Sequence, residues 1–237
     1  MSDAPPISSP AVGLRNSKGA ILLPAVVSSY RLLSEGFQYP DETSFRRLES
    51  GFFARELEDS VAQLSGTIRL QRLASSLRQA IACTVDSFSL LDLQAAYNRL
   101  FVLSVIRSQG NMSLHGTSYT AAHEYMQSHQ LAELSNLYHC LGLQCAAGVR
   151  PDNISSELEF LEALAAREAL AGEMGQAELS DRCRRQARDF LKGHFLVWIP
   201  ALCRALTNRR PPLYPALARL TRGFASWHLT RLDRERS

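Results

Sequence analysis

The sequence is poor in the residues that punctuate a chain. Only 13 of 237 residues are Gly and 10 are Pro, too few for a many-stranded barrel with its closely spaced turns. No run of period-two alternation is long enough for a strand. There is no Gly-rich phosphate loop of the P-loop or dinucleotide type and no Gly-x-Ser-x-Gly elbow, so two large enzyme classes lack their usual signature. Cysteine is sparse and scattered: Cys83, Cys140, Cys145, Cys183 and Cys203 are an odd number without a CxxC pair, which argues against a disulfide framework and for reduced, buried thiols in a reducing compartment. His123 and His129 flank Glu124 at a spacing other than His-Glu-x-x-His, so neither a metal nor a tightly held cofactor is expected. The longest late apolar run, Phe195 to Cys203, is about half of a membrane-spanning helix. Arg15 and Lys18 precede the apolar stretch Gly19 to Val27 as in a secretory signal, but the stretch is short and Pro24 interrupts it. A soluble, cytoplasmic protein without stable membrane insertion is expected.

What is present is ordinary globular composition, 46% hydrophobic and 21% charged, which rules out wholesale disorder. The length suits one large domain or two halves sharing a core. The net charge of +3 hides an asymmetry, because residues 204 to 236 carry eight Arg against only Asp233 and Glu235. That segment is either a solvated basic helix or a face for anions or membranes, and it motivates the alternative of a helical nucleic-acid-binding protein. Against this alternative, the arginines are interleaved with Pro211, Pro212 and Pro215 and with an apolar face, and no helix-turn-helix pattern stands out.

Helical periodicity fills most of the chain, and the fold class is all-α. Residues 1 to 20 read as a loose arm, with one helical domain over 21–237. Val26, Tyr30, Leu33 and Phe37 lie on one face of a first helix that Pro40 must end, and Asp41 can cap a second. Phe45 and Leu48, then Leu57, Val61 and Leu64, then Leu70, Leu73, Leu77 and Ile81 mark successive amphipathic segments. Another segment begins near Ser87 and carries Leu90 to Phe101. Residues 107 to 117 lack periodicity and read as a hinge between halves at about 21–106 and 118–232. Tyr119 to Gln144 reads as one helix, with Met126, Leu131, Leu134, Tyr138 and Leu141 on its face. Pro151 to Asn153 start the next helix, from about Ile154 to Ala171. A third runs from Gln176 to Trp198 with Leu179, Cys183, Phe190, Leu191 and Val197, until Pro200 bends or ends it, and the last carries Leu213, Leu217, Leu220, Phe224 and Trp227.

Two clusters carry candidate chemistry. Asp152 with Glu157, Glu159 and Glu162 is an acidic group at a helix start, where carboxylates suit the positive end of the macrodipole; it either serves the helix alone or faces a groove and reads a positive ligand. Tyr97, Leu100 and Phe101 span little more than one turn and belong either to the core or to a peptide groove.

Read together, these segments resemble the TorD/DmsD/NarJ family of cytoplasmic chaperones for molybdenum enzymes. The likeness rests on Tyr97-Asn98-Arg99-Leu100-Phe101, on Tyr119 to His123 with Met126, on Arg150 to Phe160, and on Phe190-Leu191 with His194, Trp198 and Pro200. The opening from Tyr30 to Pro40 agrees with it. The resemblance implies a two-part helical bundle and a non-catalytic role. Such a protein binds the apo catalytic subunit of a molybdopterin oxidoreductase, often through its twin-arginine leader peptide, until the cofactor is inserted. It places the leader groove at Tyr97, Leu100, Phe101, Pro151, Asp152 and Asn153; Glu159, as a second carboxylate for the leader arginines, and Tyr119 complete the candidate binding residues. The pattern is closest to the chaperones of the nitrate reductase, ethylbenzene dehydrogenase and selenate reductase group. Two positions depart from it. Asn153 replaces the usual His of a Pro-Asp-His turn and cannot become cationic. Gly116, in Leu114-His115-Gly116-Thr117, replaces the Glu of Pro-Tyr-Glu-Thr and removes one candidate partner for a leader arginine.

Overall fold

The structure, a computed structural model, describes residues 17–64, 66–103 and 112–234, with side chains from Leu22 onward. Most of the expected arm, 1–16, and the first part of the expected hinge, 107–111, lie outside the described residues. Every regular element among the described residues is helical. Helix α1 (Ser17–Phe37) buries Val26, Tyr30, Leu33 and Phe37 in one stripe and stops ahead of Pro40. Asp41 caps α2 (Glu42–Glu49): its side chain accepts from Ser44 N, and Ser44 Oγ accepts from Asp41 N, so two otherwise orphaned donors are satisfied reciprocally. Helices α3 (Phe52–Ala62) and α4 (Ile68–Val85) follow, and then α5 (Leu90–Tyr97), capped by Ser89. A π-helical turn, Asn98–Leu103, extends α5.

The later part comprises a single-turn α6 (Thr117–Thr120), α7 (Glu124–His139), α8 (Ile154–Glu173), α9 (Ala177–Phe190), a second π-helical turn (Leu191–Phe195), α10 (Leu196–Ala205) and α11 (Leu213–Arg234). Helix α8 is central. It lies along α1 on one side and α9 on the other, while α4 packs on α11, so the early and late helices share one core. Ile154, Leu158, Leu161 and Leu164 of α8 are all essentially inaccessible. Burying one such side chain contributes about 1.5–3 kcal/mol. No described helix is long and apolar enough to cross a membrane.

Three expectations need correction. The single helix over Tyr119–Gln144 is two: His123 takes up an extended backbone and caps α7, its Nδ1 accepting from Met126 N, and Met126 is exposed. The single helix over Gln176–Trp198 is broken by the second π turn; Leu179 is exposed because the buried stripe of α9 is Ser180, Cys183, Ala187 and Phe190, and Val197 is exposed beyond the π turn, whose wider winding changes the angular phase of the face. Pro200 lies inside α10 and does not end it. Finally, of the five free cysteines only Cys183 is buried, and Cys83 and Cys140 are exposed; residue counts and spacings do not say which side of a helix meets water.

Candidate functional site

The connection into α8 is held by a buried carboxylate. Asp152 is fully buried. Its Oδ1 accepts from Arg150 Nε at 2.9 Å, and its Oδ2 accepts from Arg150 Nη2 at 2.8 Å, Thr117 Oγ1 at 2.6 Å and Thr117 N at 3.2 Å. Burial acts to raise the carboxyl pKa, but Arg150 and Thr117 outweigh it and hold the group below the usual carboxylate range. The backbone adds two ties, Gly116 N to Asp152 O and Ile154 N to Leu114 O, which form an isolated antiparallel bridge between His115 and Asn153. The segment 114–117 is thereby clamped to the start of α8.

One turn into α8, Glu157 is also inaccessible. Its Oε1 meets His194 Nε2 at 2.8 Å, and its Oε2 accepts from Trp198 Nε1 at 3.0 Å. Burial raises the Glu157 pKa against the pull of both partners. Burial works to lower that of His194, and the adjacent carboxylate reverses this and raises it. Tyr119 stacks on Trp198 with ring centroids 5.7 Å apart, and its hydroxyl donates to Ser113 O. Gly116 completes the cluster: a Cβ there would stand 2.9 Å from Trp198 Nε1 and 3.1 Å from Glu157 Oε1, so the buried carboxylate leaves no room for any side chain at 116.

Beside this clamp, a groove of about 480 Å³ opens between the end of α1, Tyr97 and the first turns of α8. Its walls are Phe37, Tyr39, Tyr97, Tyr138, Leu143, Val149 and Phe160, and Asn153 and Glu159 supply polar edges. Tyr97 is fixed by its hydroxyl, which donates to Phe37 O at 3.0 Å, and by edge-on contacts with Tyr39, Phe101 and Tyr214; burial pushes its pKa up to about 12. Tyr138 donates to Pro151 O at 2.7 Å and stacks on Phe160. Asn153 Oδ1 accepts from Ser155 N, which makes Asn153 the N-cap of α8. Glu159 is exposed and accepts one bond from Ser34. Burial raises the pKa of nearby Glu162, Arg31 opposes the rise, and Glu159 and Glu35 add to it.

The eight residues singled out in the sequence therefore fall into three places. Tyr97, Asn153 and Glu159 line the groove, with Pro151 just behind it through Tyr138. Asp152 and Tyr119 belong to the internal clamp and its stacked wall. Leu100 and Phe101 are 4% and 7% exposed and lie in the core. Residues missed were Arg150, Thr117, Glu157 as a buried group, and the aromatic lining Tyr39 and Tyr138. One local signal existed: His194 and Trp198 are four apart, the spacing that aims two side chains at one point.

Residues 67–204 match the nitrate reductase delta subunit family. The chain is 26% identical over 212 residues, 86% of its length and 88% of the relative's, to the perchlorate reductase assembly chaperone protein of Dechloromonas aromatica (strain RCB). The matched region runs from α4 to α10 and contains the clamp, Tyr97 and the α8 wall of the groove. This chain belongs to the nitrate reductase delta subunit family.

Proposed function

We propose that this chain is a maturation chaperone, not an enzyme, that holds the apo catalytic subunit of a molybdopterin oxidoreductase and receives that subunit's twin-arginine leader in the groove at Tyr97, Asn153 and Glu159. The observation that carries the reading is the groove's composition, aromatic and aliphatic walls with exposed Glu159 at one edge. A leader of paired arginines followed by an apolar helical run needs those two halves side by side: apolar walls for the run and carboxylates for the guanidinium groups. Enclosing two or three large apolar side chains contributes about 1.5–3 kcal/mol each before ordering costs, a large share of the roughly 8 kcal/mol that micromolar affinity requires, with the guanidinium–carboxylate contacts adding to it. The clamp of Asp152 and Glu157 keeps the α8 wall rigid, which lowers the ordering cost on the chaperone's side.

The test is calorimetric titration of a synthetic twin-arginine leader, and separately of the apo catalytic subunit, into the full chain. Val149 is 47% exposed on the groove wall. Val149→Arg should weaken both by tenfold or more through like-charge repulsion and lost apolar contact, with melting temperature unchanged. Glu159→Gln should weaken the leader by three- to tenfold. Wild-type affinity in both variants for both ligands would overturn the assignment; loss for the apo-subunit alone would move the site's ligand from the leader to the mature region.

A further inference from the structure

Away from the groove, α4 and α11 enclose a recess of about 710 Å³. Arg69 enters from α4, and Arg219, Arg222, Arg231 and Arg234 from α11; no Asp or Glu lines it. Arg231 is engaged with Glu168. The other four are exposed and have no carboxylate of a described residue within ion-pair distance. Four guanidinium groups around one concavity, none paired with a carboxylate of a described residue, repel one another, and that repulsion is relieved when an anion enters.

The shape narrows the class of anion. The floor is small or apolar, with Gly66, Gly223, Ser226 and Leu73, and Trp227 gives a flat side wall. Gly223 permits the close approach of α11 to α4, since a Cβ there would meet Leu73 Cδ1 at 2.7 Å. A recess of this volume has the size of a small-molecule site and is too small for a duplex. A single phosphate engages about two guanidinium forks, whereas Arg219 and Arg222, one turn apart on α11, and Arg69 on α4 supply three to the same recess. From these arginines and this volume we infer that the α4–α11 recess is a binding site for a diphosphate-bearing anion. The bound species is either free pyrophosphate or the diphosphate of a nucleotide, whose base would lie on the Trp227 side. This goes beyond the chaperone reading and does not depend on it, because the recess and the groove are lined by different residues.

The experiment is titration of the full chain with inorganic pyrophosphate, ADP, adenosine and orthophosphate at low and moderate salt. One equivalent of pyrophosphate or ADP should bind, at least tenfold more tightly than orthophosphate, with affinity falling as salt rises. The double variant R219Q/R222Q, and separately R69Q from the other helix, should each lose tenfold or more. A control with equal charge loss elsewhere, R46Q/R55Q, should stay within twofold. Tighter binding of ADP than of pyrophosphate identifies the nucleotide source, and the reverse identifies the free anion. Should the double variant fail to fold, R69Q decides. The proposal is overturned if neither diphosphate binds at millimolar concentration, if binding survives in both recess variants, or if a single-stranded oligonucleotide of matched charge binds more tightly than either, which would make the face a nucleic-acid surface.

Discussion

Gly116 has the backbone of ordinary right-handed helix, so conformational freedom is not the reason for a glycine there. The reason is space: the Cβ position is occupied from two sides by Trp198 and by the Glu157 carboxylate. Gly116→Ala should therefore destabilise the fold by about 1–3 kcal/mol, the usual cost of overpacking a closed site, read as a lower urea midpoint; an unchanged midpoint would mean that the Trp198 wall yields freely. Asp152 invites the opposite experiment, a change of charge without a change of size. The cap of α8 is Asn153, so Asp152→Asn alters no cap, yet it removes the partner of Arg150 and offers an amide where Thr117 N–H donates. A loss of about 2–3 kcal/mol is expected, toward the low side for a broken buried pair because Arg150 is partly in water. Asn153→Asp keeps the cap and should be near neutral. Equal denaturation midpoints for Asp152→Asn and the parent would contradict the clamp.

At the scale of elements, close helix approach depends on two glycines that are not equivalent. A Cβ at Gly36 would meet both methyl groups of Leu217 at 2.9 and 3.1 Å and Phe53 at 3.2 Å, and Leu217 is fully buried with nowhere to turn. At Gly223 the obstacle is the end of Leu73, which is only partly buried. Alanine favours a helix over glycine by about 0.5–1 kcal/mol. Gly223→Ala is thus expected to be neutral or mildly stabilising, while Gly36→Ala should lose about 1–2 kcal/mol net as overpacking exceeds the propensity gain. Paired thermal melts check the order; equal shifts would show that α1 and α11 slide apart at little cost. The second π turn acts at the same scale, since it brings His194 and Trp198 to Glu157.

For the molecule as a whole, the first and last helices are joined at Tyr30 and His228, whose hydroxyl and Nδ1 are 2.7 Å apart. His228 is inaccessible, and burial, aided by Arg231, lowers its pKa to about 3. The folded value lies below the unfolded one of about 6.5, so this histidine charges only when the chain opens. Its contribution to stability is present above about pH 6.5 and is lost as pH falls toward 3, by up to about 1.4 kcal/mol per pH unit. His228→Gln should be less stable than the parent at neutral pH, and the gap should shrink steadily below pH 6.5. A gap that is independent of pH would show that His228 titrates normally in the fold.

The local terms were legible before any coordinates. The stripes of α1 and α11, the cap at Asp41, the all-helical class and the family motifs each depend on residues within a few turns of one another, and a 3.6-residue repeat or a capping box states its geometry in the sequence itself. The site was legible in part. Tyr97, Leu100 and Phe101 read as one trio, but Tyr97 lines the groove while the residues of the π turn face the core. Among the acidic residues of α8, spacing could not tell which carboxylate meets water, because Glu157 is buried by His194 and Trp198, 37 and 41 positions away, and Asp152 by Thr117, 35 positions before it. Likewise, the eight arginines near the C-terminus were visible as charge, but only the packing of α4 on α11 set Arg69 across a recess from Arg219 and Arg222. Periodicity and caps are sums of neighbouring terms and belong to the sequence; the fate of a charge depends on desolvation and on partners brought from afar, and these exist only once the helices have packed.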